Sequence, residues 1–69
     1  MKLSVRNVFK GKVTAITEGM AVATVKVDIG GGNAVTSVVT VDAVKDLGLK
    51  VGDEISVLVK ATNVMLAKE

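Results

Sequence analysis

Residues 21–40 constrain the fold most, because they carry the pattern of two strands joined by a tight turn. In AVATVKVDI, residues 21–29, apolar and polar side chains alternate, which is typical of a strand with one buried face. The GGGN of residues 30–33 is typical of a hairpin turn, and AVTSVVT, residues 34–40, is the predicted partner strand. The middle of the chain is therefore predicted to be an antiparallel hairpin.

The spacing of the apolar residues changes after this hairpin. Over residues 41–47, VDAVKDL, they recur at helical rather than strand spacing. Thr40 has the hydroxyl that commonly caps a helix N-terminus, and Gly48 suits the left-handed conformation that ends one. The sequence thus predicts a helix over about two turns.

The remaining segments are also predicted as strands, since fifteen Val, three Ile and six Thr with no Pro favour β-structure. A first strand is expected over residues 4–17, a fourth over 55–61 and a short final strand over 63–67. Three strands, one helix and two strands predict a mainly β fold, a five-stranded, partly open OB-like barrel with the short helix between strands 3 and 4. An open antiparallel sheet with one helix is the alternative.

Length and composition limit how such a chain can be stabilised. With 69 residues, a single domain over residues 1–69 is expected. The absence of Cys and His excludes disulfides and Cys/His zinc sites. Since 49% of the residues are hydrophobic, a monomer would expose much apolar surface, and we expect a homo-oligomer.

Nothing at the start of the chain has the pattern of a signal peptide, and no apolar stretch approaches the roughly 18 residues of a membrane span. A cytoplasmic protein without a membrane partner is therefore expected.

Catalysis is not expected either, because the chain has no His, Cys or Tyr and no Ser beside a credible base. The GGGN segment lacks the spacing of a phosphate-binding P-loop.

Hydroxyls and cations occur in pairs near both ends of the chain. Ser4 and Arg6 form one pair, and Lys60 and Thr62 form the other. Together they suit a tetrahedral dianion, because the cations neutralise its charge and the hydroxyls donate to its oxygens. The predicted helix start at Thr40 could add backbone N–H groups. The competing interpretation is that both cations are solvated edge charges that discourage aggregation. Spacing alone does not bring the three segments together.

Two longer motifs resemble a known family. LSVRNVFKGKV, residues 3–13, resembles the S-x-R-N-x-x-x-G-x-V opening of the molbindins, or Mop domains. Residues 36–66 resemble their continuation, which ends in V-K-A-[ST]-x-V. The resemblance implies an OB-like fold that binds molybdate or tungstate as its ligand. It also implies a homohexamer, a trimer of dimers, that stores the oxyanion between subunits for intracellular molybdenum storage or homeostasis.

The resemblance also implies which residues bind the oxyanion. The matching positions of the two terminal motifs are Ser4, Arg6, Asn7, Lys60, Ala61 and Thr62. Thr40 and Ala43 match a segment that reaches in from a neighbouring subunit, although the family often has Ser where this chain has Ala43. A second oxyanion site near the symmetry axis would involve the first turn, Glu18, Gly19 and Met20.

Two other functions are compatible with an OB-like fold. The first is binding of single-stranded nucleic acid, which uses stacked aromatic side chains and a basic groove. One Phe, no Tyr, no Trp and a net charge of +2 argue against it, so no nucleic-acid partner is expected. The second is a passive oligomerisation module, in which the cations serve only as surface charge.

Overall fold

In the computed structural model, residues 4–69 are described, and they form a mainly β fold with one short α-helix. The strands form one antiparallel sheet in the order β3-β2-β1-β4, and the helix lies between β3 and β4 in the chain. The elements are β1 (Asn7–Glu18), β2 (Val22–Gly30), β3 (Asn33–Thr40), α1 (Val41–Leu47), β4 (Glu54–Val59) and a 3₁₀ turn (Ala61–Asn63).

The hairpin predicted in the middle of the chain is confirmed as β2 and β3. On β2 the apolar side chains of the alternating pattern face the core, and Val25 and Val27 are 2% and 1% exposed. The pair Gly30 and Asn33 closes the turn. Gly31 and Gly32 between them have φ of 64° and 77°, and a two-residue hairpin turn with φ positive at both positions favours glycine there.

The central strand β1 is long because it serves two neighbours. Its first half pairs with β4 and its second half with β2. The register with β2 shifts between Val13 and Ala15, which is the irregularity of a β-bulge and bends a strand. Within the bulge, the Thr14 hydroxyl donates to the Lys26 carbonyl over 3.3 Å. The strand β1 therefore joins β4 on one side to the β2–β3 hairpin on the other.

The predicted helix is confirmed together with both of its ends. The Thr40 hydroxyl oxygen accepts a hydrogen bond from the Ala43 N–H over 3.0 Å, which caps the N-terminus. Gly48 has φ of 62°. The Gly48 N–H donates to the Lys45 carbonyl, and the Leu49 N–H donates to the Val44 carbonyl over 3.0 Å. These are the two backbone bonds of a Schellman motif.

The fully buried core is small and lies between β1, β2 and α1. The partly buried apolar residues of β3, β4 and the segment after α1 pack around it. Along the helix, Val44 is 4% exposed whereas Leu47 is 70% exposed, so the helix contributes a narrow apolar face. The buried residues are Val13, Ala23, Val25, Val27 and Val44.

The predicted mainly β fold with a short helix after the third strand is confirmed, but the prediction of five strands in a partly open barrel is wrong for the described residues. Residues 4–69 contain four strands, and β3 does not pair with β4, so the sheet is open. At the predicted fifth strand, the Asn63 N–H donates to Lys60 over 2.9 Å and forms a 3₁₀ turn. The apolar residues that follow pair with no strand among the described residues, and Met65 and Leu66 are over 90% exposed.

The first strand is also shorter than predicted at its start. It begins at Asn7 rather than at residue 4, because its pairing with β4 ends at Val59. Residues 4–6 and 60–62, which lie beyond this last pair, are not paired as strands. Within residues 4–69, no helix combines the length and apolar character needed to cross a membrane.

Candidate oxyanion-binding site

A pocket of about 170 Å³ lies where the paired ends of β1 and β4 separate. We call it the terminal pocket, because segments from near both ends of the chain form it. It brings together both of the hydroxyl and cation pairs that the sequence singled out. The residues that line it are Ser4, Val5, Arg6, Lys60, Ala61 and Thr62.

The register of β1 and β4 explains why these residues meet. The two strands are antiparallel and their last pair is Asn7 with Val59. Because this pair is the last, residues 4–6 and 60–62 continue directly from it and line the pocket. The 3₁₀ turn at Ala61–Asn63 ends the extended conformation, so the regular strand pairing stops at Asn7 and Val59.

The charge of the terminal pocket has one sign. Arg6 and Lys60 supply two cations, and no carboxylate is among the described residues that line it. Arg presents a planar fork of donors, while the Lys ammonium acts as a compact charge with three donors. Ser4 and Thr62 add hydroxyl donors that suit oxygens of any orientation, because a hydroxyl rotates. This set matches a small anion with several oxygens and two negative charges.

The turn after β4 places the backbone of Ala61 and Thr62 in the lining of the same pocket. The carbonyls of Lys60 and Ala61 accept from the Asn63 and Val64 N–H groups. In contrast, no backbone carbonyl among residues 4–69 accepts from the N–H groups of Ala61 and Thr62 outside the strands and helices. Ala61 has no polar side chain, so only its backbone could contact an anion. That accounts for an alanine among the candidate binding residues.

Asn7 has a different environment from the other residues of its motif. It is not among the described residues that line the terminal pocket. Its side-chain Nδ2 donates to the Val59 carbonyl over 3.1 Å, and this bond is partly buried. The amide of Asn7 therefore holds the ends of β1 and β4 together directly behind the pocket.

Thr40 and Ala43 do not reach the terminal pocket of their own chain. Thr40 pairs with Val22, beside the far end of β1, while the pocket lies before the start of β1. The twelve residues of β1 lie between them, and a strand rises about 3.3 Å per residue. The Ala43 N–H is also engaged, because it donates to the Thr40 hydroxyl oxygen. That hydroxyl retains its own hydrogen to donate.

The residues of the predicted second site form the turn between β1 and β2. The Gly19 N–H donates to the Val22 carbonyl over 2.8 Å, so this donor is used within the turn. Met20 is fully exposed. The Val41 N–H donates to Ala21 over 2.9 Å, which places the turn beside the start of α1. Glu18, Gly19 and Met20 thus lie at the opposite end of β1 from the terminal pocket.

Two larger concave regions were not predicted from the sequence, but their chemistry suits an oxyanion less well. One of about 700 Å³ has Lys10 and Lys12 among its lining, together with the carboxylates of Asp28 and Glu54. The other, of about 460 Å³, is a mainly apolar groove between the strands and the segment after α1. Because carboxylates repel anions and the apolar groove has no cation among its described lining, the smallest of these three pockets fits an oxyanion best.

Comparison with known proteins places the chain among closely similar sequences and folds. A family model described as "TOBE domain" matches residues 3–66. A probable molybdenum-pterin-binding protein from Haemophilus influenzae is 51% identical over 69 residues, which covers 100% of both chains.

Two solved structures share the fold at comparable identity. A molybdate-binding protein from Sporomusa ovata has a TM-score of 0.92 at 37% identity, covering 99% of this chain and 100% of the other. The cytoplasmic molybdate-binding protein ModG, solved with molybdate bound, has a TM-score of 0.84 at 46% identity. That match covers 88% of this chain but 43% of ModG.

Proposed function

Because the chain belongs to the TOBE-domain family, and within it to the molbindins or Mop domains, we propose that it binds molybdate or tungstate in the terminal pocket. One observation carries this proposal. Two cations and two hydroxyls, from segments more than fifty residues apart in sequence, line one pocket of about 170 Å³. The names of the similar proteins, which refer to molybdenum-pterin or molybdate binding, support the same ligand class.

Each group in the pocket has a distinct role in this proposal. Arg6 and Lys60 neutralise the dianion, and Arg6 can donate two parallel hydrogen bonds to two of its oxygens. Ser4 and Thr62 donate from their hydroxyls, and Ala61 from its backbone N–H. The role is one of binding rather than catalysis, because these groups supply charge and donors but no general base.

We further propose that the oxyanion lies between subunits of a homo-oligomer, a hexamer built as a trimer of dimers. Thr40 of a second copy would then donate its hydroxyl hydrogen to the anion, with Ala43 beside it. The separation of Thr40 from the terminal pocket of its own chain supports this arrangement. Exposed apolar side chains, including Val38 at 67% and Leu66 at 93%, support association of copies.

The proposed physiological role is storage or homeostasis of molybdenum in the cytoplasm, with residues 1–69 acting as one Mop domain. The description of the structurally similar ModG as cytoplasmic supports the location. Storage is compatible with the proposed chemistry, since a site that binds through charge and hydrogen bonds can hold and release its ligand unchanged. Glu18, Gly19 and Met20 are the proposed position of a second oxyanion site, formed where turns of several copies would meet.

Isothermal titration calorimetry of the whole protein tests the ligand. We expect heat of binding with molybdate and tungstate and much weaker binding of sulfate and phosphate. Native mass spectrometry of the same samples counts subunits and bound oxyanions together. If the protein gives no heat with either metal oxyanion but still assembles, the proposed function is wrong and the passive oligomerisation module remains.

Variants of the two cations test the site. Hydrogen bonds to charged groups contribute about 1.5–3 kcal/mol, so Arg6→Ala and Lys60→Ala should each weaken molybdate binding by about tenfold or more. Lys26→Ala is the matched control, because it removes one cation from an exposed position on β2 that does not line the terminal pocket. Unchanged affinity in both pocket variants would contradict the proposed site.

A further inference from the structure

We infer that Asn7 is a positioning residue that fastens the two sides of the terminal pocket and does not itself bind the anion. This inference rests on the proposed function. It also departs from the expectation that Asn7, as part of the S-x-R-N motif, contacts the oxyanion. Its observations are the hydrogen bond to Val59, the position of that bond in the sheet, and the two cations directly beyond it.

The bond lies at the point where the sheet stops. Asn7 and Val59 form the last pair between β1 and β4, and the next residue on each side is a cation, Arg6 or Lys60. The Asn7 side chain crosses between strands to the Val59 carbonyl over 3.1 Å, joining residues 52 positions apart in sequence. It therefore adds a fastening where regular pairing ends.

The two cations explain why a hydrogen bond is useful at this position. Arg6 and Lys60 directly follow the last strand pair and both line the terminal pocket, so their like charges repel each other. Before an anion binds, this repulsion acts to separate the ends of the two strands. The Asn7 bond opposes that separation. It keeps the two cations at the spacing that a single dianion requires, and such preorganisation raises affinity.

The position of Asn7 also argues against direct contact with the anion. Ser4 and Arg6 line the terminal pocket, but Asn7 does not appear among the described lining residues. Asn7 is the first residue of β1, and its side chain is directed to the Val59 carbonyl of β4. Its amide is half-buried against the end of β4 and already engaged with a carbonyl.

The test replaces the amide and then restores the fastening by other means. Asn7→Leu keeps the approximate shape but removes the donor, so molybdate affinity should fall by about threefold to tenfold, the loss expected for one hydrogen bond. Thr14→Val is the matched control. It removes the side chain-to-carbonyl bond from Thr14 to Lys26 at the other side of β1, and its molybdate affinity should equal that of the unmodified protein.

A disulfide separates positioning from direct binding. Val8 and Leu58 are the adjacent cross-strand pair, and directly opposite strand residues lie at a Cα separation that a disulfide can span. We would add Val8→Cys and Leu58→Cys to the Asn7→Leu protein. The oxidised form should recover molybdate affinity, while its reduced form should bind as weakly as Asn7→Leu alone. Because the native chain has no Cys, the reductant acts on this bond only.

The outcomes are distinct. If Asn7→Leu binds as tightly as the unmodified protein, Asn7 does not position the pocket and the inference fails. If binding is weakened and the oxidised disulfide does not restore it, Asn7 acts as a ligand and the inference also fails. If the unmodified protein binds no molybdate, the proposed function fails and the inference with it. Should Asn7→Leu not fold by circular dichroism, Asn7→Ser carries the same expectations.

Discussion

We predict that Gly11→Ala destabilises the protein although Gly11 has an ordinary strand conformation. A Cβ atom at Gly11 would lie 2.6 Å from the Val27 Cγ1 and 2.7 Å from the Asp28 carbonyl oxygen. The optimal separation of two non-bonded carbon atoms is about 3.5–4.0 Å, which is about 0.9–1.4 Å longer than the contact with Val27. Val27 is 1% exposed, so its methyl group has no open space to move into, and the second obstacle is backbone. The strands β1 and β2 must therefore separate locally.

The size of the effect follows from these contacts. Adding one carbon atom to a well-packed interior costs about 1–3 kcal/mol when neighbours must shift. A domain of this length has a total stability of roughly 3–10 kcal/mol at typical values per residue. For a domain of about 60–100 residues, each kcal/mol lowers Tm by about 4–8 °C. The expected loss is therefore visible in both urea and thermal unfolding.

Urea unfolding monitored by circular dichroism, at one fixed protein concentration, measures this loss. Fixed concentration matters because dissociation of an oligomer would otherwise change the midpoint. Gly48→Ala is a useful comparison, since its Cβ would meet nothing within 4 Å but its φ of 62° disfavours alanine. It isolates the cost of backbone conformation from that of crowding. An unfolding midpoint for Gly11→Ala equal to that of the unmodified protein would refute the packing argument.

Two further predictions concern the helix cap and the ligand. Thr40→Ala should cost about 1 kcal/mol of stability in urea unfolding through loss of the cap on Ala43, while Thr40→Ser should retain it; equal loss in both would contradict the cap. Molybdate at a hundred times its Kd should stabilise the protein by about 2.7 kcal/mol in thermal unfolding. At that same concentration Lys60→Ala should gain much less, and an equal gain would mean that molybdate stabilises through another site.

The parts of the fold that were predictable from the sequence depend on local signals. The alternation on β2 and the glycines after it indicate the hairpin because each signal lies within a few residues of its partner. Thr40 and Gly48 likewise mark the ends of α1 through contacts to neighbours three or four positions away. Such elements need no information about the rest of the chain.

The predictions that failed depend on distant pairing. Whether residues 63–67 form a strand depends on a partner strand, and the 3₁₀ turn at Ala61–Asn63 ends the pairing of β4 with β1 instead. Composition cannot reveal this, because Val and Leu are equally compatible with a strand and with an exposed segment. The start of β1 was misplaced for the same reason, since its pairing stops at Val59.

The candidate site depends both on local residue types and on distant strand pairing. The residue types alone were compatible with an oxyanion site and equally with solvated edge charges, and the motif resemblance decided between these interpretations. The proximity of these residues was not predictable without the motif resemblance, since it requires the register of two strands more than forty residues apart in sequence. The role of Asn7 was less accessible still. An asparagine beside an arginine gives no indication that its amide crosses to a carbonyl 52 residues away.

The location of the terminal pocket relative to the core explains how so small a fold can hold a doubly charged ion. Among residues 4–69, the five buried side chains are all apolar and lie on β1, β2 and α1, while Arg6 and Lys60 are exposed beyond the last strand pair. The cations therefore keep most of their hydration and avoid the large cost of burying charge. What the sheet contributes is alignment, because the last pair of β1 and β4 brings the two cations to one pocket. Binding of a dianion converts their mutual repulsion into shared attraction, so the ligand and the strand ends stabilise each other.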